Sequence, residues 1–220
     1  MDNVLKAAIF DLDGVLVDTA QYHYLAWRRV AERLDIPFTI EDNERLKGVS
    51  RAQSLDYLLL KGNKAMPADK KREWASRKNA WYLEYLSGLN ESHLLPGARL
   101  YVDSLKKTGV RIGLGTSSRN AGIILERLGI QKWFDAAVDG NMVAHTKPDP
   151  EVFLKCAHLL QVQPEFCLVL EDSTAGIQAA RNAGMPCIGI GDKQVLQEAD
   201  LVVSDLQELL SSTAYKEAFP

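Results

Sequence analysis

The chain has 220 residues, is 46% hydrophobic and 25% charged, and carries a net charge of −3. This length suits one large domain or a domain with a smaller insert, and the acidic balance argues against a nucleic-acid binder that neutralises phosphates. Because no stretch approaches the ~20 apolar residues of a membrane span and the first apolar run is too short for a signal peptide, we expect a soluble, cytoplasmic protein without nucleic-acid or membrane partners. We also expect a monomer.

The first predicted element is a strand over residues 7–10, whose four apolar residues are typical of a parallel strand buried on both faces. The strand runs directly into Asp11 and Asp13. Because side chains alternate along a strand, the two carboxylates lean the same way at its carboxyl end, where open α/β sheets bind ligands. Gly14 then allows a sharp turn. Two such close negative charges favour a bound Mg²⁺, although an acidic loop without a metal is the alternative.

Residues 20–89 show helical patterns and no convincing strand. Asp18 or Thr19 is the predicted N-cap of a first helix, in which apolar residues recur at helical spacing from Trp27 to Leu34. Two further helices are predicted in this stretch: residues 51–60, capped by Ser50, and a long helix beginning at Pro67.

From residue 96 onwards, predicted strands and helices alternate, which indicates a parallel sheet with helices on both faces. The predicted strands are residues 110–115, 136–138, 167–170, 187–190 and 201–203, and the predicted helices are 98–107, 121–128, 175–183 and one opening at Asp149-Pro150. We therefore predict an α/β, doubly wound (Rossmann-like) core of residues 1–18 and 90–220. An all-helical cap domain, residues 19–89, is inserted after the first strand. The three cysteines form no CxxC pattern and are predicted to be core thiols.

Chemically useful side chains follow two more predicted strands: Thr116 and Ser117 after one, Glu171 and Asp172 after the other. Lys147 lies in a loop before a helix. Taken separately, the hydroxyls could be helix caps, the acidic pair could serve a helix dipole, and the lysine could be solvated. Together with the aspartates of the first strand they offer a nucleophile, metal ligands, hydroxyl donors and a cation. That set suits phosphoryl transfer, which needs positioning and charge neutralisation.

In their order along the chain, Asp11-x-Asp13-Gly14, Thr116, Lys147-Pro148 and Glu171-Asp172 resemble the four motifs of the haloacid dehalogenase superfamily of phosphotransferases. Aspartate at position 13 points to the phosphatase and mutase branch. The resemblance implies that Asp11 is phosphorylated and that Asp13 acts as general acid and base.

The helical insert is similar to that of the β-glucose-phosphate mutases within this superfamily. The similarity is carried by DTAQYH (residues 18–23), Trp27, KGVSR (residues 47–51), RKN (residues 77–79) and Tyr82. It implies interconversion of β-glucose 1-phosphate and glucose 6-phosphate through a bisphosphate. Thr116-Ser117-Ser118 departs from the Ser-Ala-Ser that is usual in these mutases, so the added Ser117 hydroxyl is expected to alter sugar or phosphate contacts.

The resemblance also implies a role for each site residue. Asp11, the backbone carbonyl of Asp13 and Asp172 would bind Mg²⁺ with Glu171 beside them, and Thr116, Ser117 and Lys147 would hold the transferring phosphate. Arg51 would bind the other phosphate, and the remaining predicted substrate-binding residues are His23, Trp27, Lys47, Gly48, Val49, Ser50 and Asn120. Alternatively, Arg51 and Lys47 are solvated surface residues, His23 is structural and Trp27 belongs to the cap core.

The predicted function is thus a Mg²⁺-dependent mutase acting on a sugar phosphate and a sugar bisphosphate. A sugar-phosphate phosphatase of the same superfamily, with water as acceptor, is the first alternative. A phospho-receiver signalling domain is the second, and both the separate acid/base Asp13 and the cap argue against it.

Overall fold

A computed structural model describes residues 5–211 of the chain. Its centre is a six-stranded sheet in the order β3-β2-β1-β4-β5-β6, and every neighbouring pair is parallel. The strands are β1 (Ala7–Phe10), β2 (Arg111–Gly115), β3 (Ala136–Val138), β4 (Cys167–Glu171), β5 (Cys187–Ile190) and β6 (Leu201–Val203). The predicted doubly wound α/β class is confirmed, and the predicted strands agree with the observed ones to within one residue at either end.

Along the chain, four helices follow β1 before β2 begins, as the helical pattern of residues 20–89 predicted. They are α1 (Ala20–Arg33), α2 (Ile40–Glu44), α3 (Arg51–Lys61) and α4 (Ala68–Tyr85). The helices that cover the sheet are α5 (Ala98–Lys107), α6 (Ala121–Leu128), α7 (Glu151–Leu160), α8 (Thr174–Asn182) and α9 (Leu206–Ser211). Short 3₁₀ turns occur at Leu86–Gly88, Glu91–His93, Gln131–Trp133 and Pro164–Phe166.

Strand β1 is the centre of the sheet because it pairs with β2 on one side and β4 on the other. Its side chains are fully buried and alternate between two hydrophobic clusters: Ala8 and Phe10 face one helical layer, Ala7 and Ile9 the other. Burial on both faces explains the unbroken apolar run. The carboxyl end of β1 therefore opens between the ends of its two neighbours.

Helices α1–α4 form a hydrophobic cluster of their own around Trp27, Val30, Leu55 and Leu58. This explains the apolar spacing seen in the sequence as the core of the inserted helices. The domain limits at residues 18/19 and 89/90 stay a prediction, and residues 1–4 and 212–220 of the predicted core lie outside the described residues. Within residues 5–211, no helix has the length and hydropathy needed to cross a membrane.

Helix starts follow the predicted chemistry fully at α3 and in part at α1, where the Ala20 N–H donates to Asp18 Oδ1 at 2.9 Å. Ser50 caps α3 through a capping box with Gln53, as predicted. Thr19 occupies the N-cap position of α1, but its side chain makes no capping hydrogen bond. Its hydroxyl donates to Asp13 instead, which gives this residue a place in the site described next.

Candidate active site

The candidate site lies where β1, β2 and β4 end side by side. Asp11 follows β1, Thr116 follows β2 and Glu171 ends β4, and all three residues are buried. Because these strands are adjacent and parallel, side chains far apart in sequence meet at one edge of the sheet. The predicted convergence of these groups is thus present in the structure.

Lys147 lies at the centre of this edge and is completely buried. Its Nζ donates to Asp11 Oδ1 and, at 2.7 Å, to Glu171 Oε2, and it lies 4.7 Å from the ring centroid of Phe153. Burial by itself would lower the pKa of Lys147, but attraction to the two carboxylates raises it above its ordinary value. The lysine is therefore charged and joins β1 to β4 through two buried ion pairs.

Negative charge exceeds positive charge at this centre. Ligand oxygens of Asp11, Glu171 and Asp172 all lie within 4.8 Å of one another. Burial, together with the neighbouring carboxylates of Glu171 and Asp13, raises the pKa of Asp11 to about 7 despite the attraction of Lys147. Burial, Glu171 and Asp11 likewise hold the pKa of Asp172 well above its ordinary value. An all-oxygen group with excess negative charge fits a hard divalent cation.

Asp13 and Asp11 line the same cavity, as the two-residue spacing predicted. The Thr19 hydroxyl donates to Asp13 Oδ1, which fixes the direction of that carboxylate. Burial raises the pKa of Asp13, opposed by the Thr19 hydrogen bond and by Lys78 and Lys147. A raised pKa suits a carboxyl group that must exchange a proton.

Two glycines allow the backbone to come this close. Gly14 has a φ of +83°, and a Cβ there would lie 2.0 Å from Asp172 Oδ2. Gly48, in the loop between α2 and α3, has a φ of +74°, and a Cβ would lie 2.5 Å from Ser173 Oγ. Larger residues at either position would force the inserted helices or Asp172 away from the site.

The inserted helices are joined to the sheet by polar contacts around the cavity. Ser117 Oγ donates to the Gly48 carbonyl at 3.0 Å, and Asn120 Nδ2 donates to Asn79 Oδ1 at 2.9 Å. Lys47 lies 2.8 Å from Glu44 and 3.5 Å from Asp172. These contacts hold helices α1–α4 over the carboxyl edge of the sheet.

The cavity between the sheet edge and the helices brings together most of the predicted site residues. Those lining it are Asp11, Asp13, His23, Trp27, Lys47, Gly48, Val49, Ser50, Arg51, Thr116, Ser117, Asn120 and Asp172. Lys147 and Glu171 are not among the lining residues, although both contact or neighbour Asp11. The hydroxyl of Ser117 donates to the Gly48 carbonyl, whereas its backbone N–H has no hydrogen-bond partner among the described residues.

Ten lining residues were not among the predicted site residues: Gly14, Thr19, Ala20, Asn43, Leu46, Ser54, Lys78, Ser118, Arg119 and Thr146. Lys78 is 2% exposed, lies 2.9 Å from His23 Nδ1 and packs over the rings of Trp27 and Tyr82. Burial lowers the pKa of both Lys78 and His23 well below their ordinary values. The sequence signal that could have identified Lys78 as a site residue was its position in the RKN segment, residues 77–79.

Arg119 and Arg51 line the same cavity. Burial and then the positive charge of Arg119 lower the pKa of Arg51. Arg119 Nε donates to the Gly140 carbonyl at 3.1 Å. Two arginines that repel one another at one cavity form a site for an anion, because a guanidinium binds phosphate oxygens in bidentate fashion. The signal for Arg119 was its position directly after the hydroxyl-rich turn that follows β2.

A buried strand-end aspartate paired with a lysine, a second aspartate beside it and a helical insert over the sheet edge together define a class of enzymes. The chain belongs to the haloacid dehalogenase-like hydrolase family, whose pattern matches residues 5–184.

Within that family the chain is 46% identical to the beta-phosphoglucomutase of Bacillus subtilis over 97% of this chain and 95% of the relative. It is 35% identical to the phosphorylated carbohydrates phosphatase of Thermotoga maritima over 90% of this chain and 93% of that protein. The crystal structure of beta-phosphoglucomutase from Clostridium difficile superposes with a TM-score of 0.93 at 38% identity, covering 98% of this chain and 97% of the other.

Proposed function

We propose that this protein interconverts β-D-glucose 1-phosphate and glucose 6-phosphate through an aspartyl phosphate at Asp11 and a glucose 1,6-bisphosphate intermediate. The observation that carries the proposal is the presence of two anion-binding regions in one cavity. One consists of Thr116 and the Ser117 amide beside Asp11, and the other is the arginine pair Arg51 and Arg119. A bisphosphate needs both regions at once. The similarity to the B. subtilis mutase supports the same reading.

In the first half-reaction, one carboxylate oxygen of Asp11 attacks the phosphorus atom of the bisphosphate. An oxygen–phosphorus bond to Asp11 forms as the phosphorus–oxygen bond to the sugar breaks, and Asp13 gives its proton to the departing sugar oxygen. Lys147 holds Asp11 in position from behind the cavity. In the reverse direction, Asp13 removes the proton from a sugar hydroxyl while that oxygen attacks the aspartyl phosphate.

The acidic group of the site fits Mg²⁺, and we propose Asp11, the Asp13 carbonyl oxygen and Asp172 as its ligands, with Glu171 beside them. When bound, the ion would neutralise negative charge on the transferring phosphate and on the carboxylates. Thr116 and the Ser117 amide would hold oxygens of the transferring phosphate.

The residues of the inserted helices would bind and enclose the sugar phosphate. Arg51 would hold the phosphate that is not reacting, while His23, Trp27, Asn120 and the loop of Lys47, Gly48, Val49 and Ser50 would surround the sugar. Enclosure also excludes water, which would otherwise hydrolyse the aspartyl phosphate. Exclusion of water is what separates a mutase from a phosphatase with the same nucleophile.

The second candidate is a sugar-phosphate phosphatase, favoured by the similarity to the T. maritima enzyme. Purified protein with Mg²⁺ is incubated with β-glucose 1-phosphate, with and without glucose 1,6-bisphosphate. Glucose 6-phosphate and free phosphate are followed together. We expect bisphosphate-dependent formation of glucose 6-phosphate that greatly exceeds phosphate release. Stoichiometric release of phosphate and glucose would instead identify the phosphatase. The cytoplasmic location and the monomeric state remain predictions.

A further inference from the structure

Asn43 is a buried polar residue without a polar partner for its side chain. It lies in α2, is 5% exposed and lines the cavity from the side of the inserted helices. Its backbone N–H donates to Thr39 and its carbonyl accepts from Leu46. Among residues 5–211, however, no group forms a hydrogen bond with its side-chain amide. Its amide atoms are not fully enclosed by protein and the residue lines the cavity, so the amide is available to a ligand there.

The preceding residue, Asp42, is a polar residue of the same helix with a structural role, and it differs from Asn43 in having several partners. Asp42 is equally buried, but its carboxylate accepts hydrogen bonds from Thr39 and from Tyr57 at 2.8 Å, and it contacts Lys61. These contacts hold the pKa of Asp42 well below its usual range despite burial. Asn43 has no comparable set of partners, although it is next in the chain. Its amide is therefore available to a molecule in the cavity.

We infer that Asn43 is a specificity-determining residue that hydrogen-bonds a ring hydroxyl of the bound sugar phosphate, an inference that rests on the proposed function. The amide both donates and accepts, which matches a hydroxyl group, and it carries no charge for a phosphate. The phosphates have their own partners in the arginine pair and at Thr116. Trp27 of α1, Leu46 of the loop between α2 and α3, and Ser54 of α3 line the same cavity from the inserted helices. Asn43 thus offers an uncharged amide to the sugar ring in the same cavity as the two anion-binding regions.

The test compares wild type with Asn43→Ala on β-glucose 1-phosphate and on its 2-, 3- and 4-deoxy analogues. For the parent sugar we expect kcat/KM to fall about 3- to 10-fold, the usual value of one neutral hydrogen bond. For wild type, the analogue that lacks the bonded hydroxyl should show the same 3- to 10-fold lower kcat/KM relative to the parent sugar. With that analogue, Asn43→Ala should have the same kcat/KM as wild type. The inference is overturned by equal losses on the parent and on every analogue, or by no loss on any of them.

Two further measurements separate this role from a structural one. Since the amide supports no other described group, Asn43→Ala and Asn43→Leu should leave the unfolding temperature of the ligand-free protein unchanged or raise it, whereas a structural role would lower it. Glu41→Ala, an exposed position on the same helix, is the matched control and should keep the activity of wild type.

Binding of glucose 6-phosphate to Mg²⁺-loaded protein in an Asp11→Asn background, measured by calorimetry, tests Asn43 without turnover. Adding Asn43→Ala should weaken this binding about 3- to 10-fold and leave binding of the matching deoxy sugar phosphate unchanged. Equal weakening for both ligands, or none, would overturn the inference. If wild type binds the sugar phosphate in this selective way but forms no glucose 6-phosphate, the proposed mutase function fails while the role of Asn43 in recognition stands.

Discussion

Replacing Lys147 with Met should destabilise the protein strongly, because the lysine is the buried cation between Asp11 and Glu171. The lysine side chain is 0% exposed, and the side chains of its two partners are 9% and 1% exposed. Methionine keeps much of the volume but removes the charge, which leaves buried carboxylates without compensation. Breaking a buried ion pair by removing one partner costs about 3–5 kcal/mol. We therefore expect the free energy of unfolding to fall by that amount in the absence of divalent cations.

The assay is equilibrium unfolding in urea with EDTA, followed by tryptophan fluorescence. The double variant Lys147→Met/Glu171→Gln should recover part of the loss, since it also removes one of the uncompensated charges. Lys61→Met is the matched control: its ion pair with Asp42 is partly exposed, so the loss there should be smaller. A loss below about 1 kcal/mol for Lys147→Met, or a double variant no more stable than the single one, would refute the charge argument.

Four further substitutions test the proposed roles one at a time. Asp11→Asn should reduce turnover below about a thousandth of wild type while the fold is kept, measured as glucose 6-phosphate formed. Asp13→Ala should lower sugar-phosphate turnover by roughly 10²–10⁴, yet allow slow labelling of Asp11 by a reactive phosphate donor; unimpaired turnover would exclude the acid/base role. Arg51→Ala should lower kcat/KM for β-glucose 1-phosphate about 10- to 150-fold and spare a small phosphate ester, whereas the exposed control Arg45→Ala should change neither. Ser117→Ala removes one hydrogen bond that holds the inserted helices, worth about 1 kcal/mol, and should raise hydrolysis of the aspartyl phosphate about fivefold; an unchanged rate would contradict that role.

The local sequence pattern was sufficient to predict the strands and most of the helices of this protein. The apolar run of β1 is visible because burial on both faces leaves no polar position in the strand. The Ser50 cap acts within a few residues, and left-handed glycines mark the start of α5 at Gly97 and the end of α6 at Gly129. The alternation of strands and helices then implies the parallel sheet. The two-residue spacing of Asp11 and Asp13 implies that their side chains point the same way.

The roles of particular side chains depended on contacts between residues far apart in the chain. The sequence predicted Lys147 to be a site residue, but only packing showed that its Nζ contacts Asp11, 136 positions away. The capping pattern at Thr19 gave no sign of its bond to Asp13, and the bond of Ser117 to Gly48 spans 69 positions. Sequence periodicity reports which face of an element is buried. Which polar atom finds a partner, and which, like the amide of Asn43, is left facing a cavity, is decided only when the elements pack together.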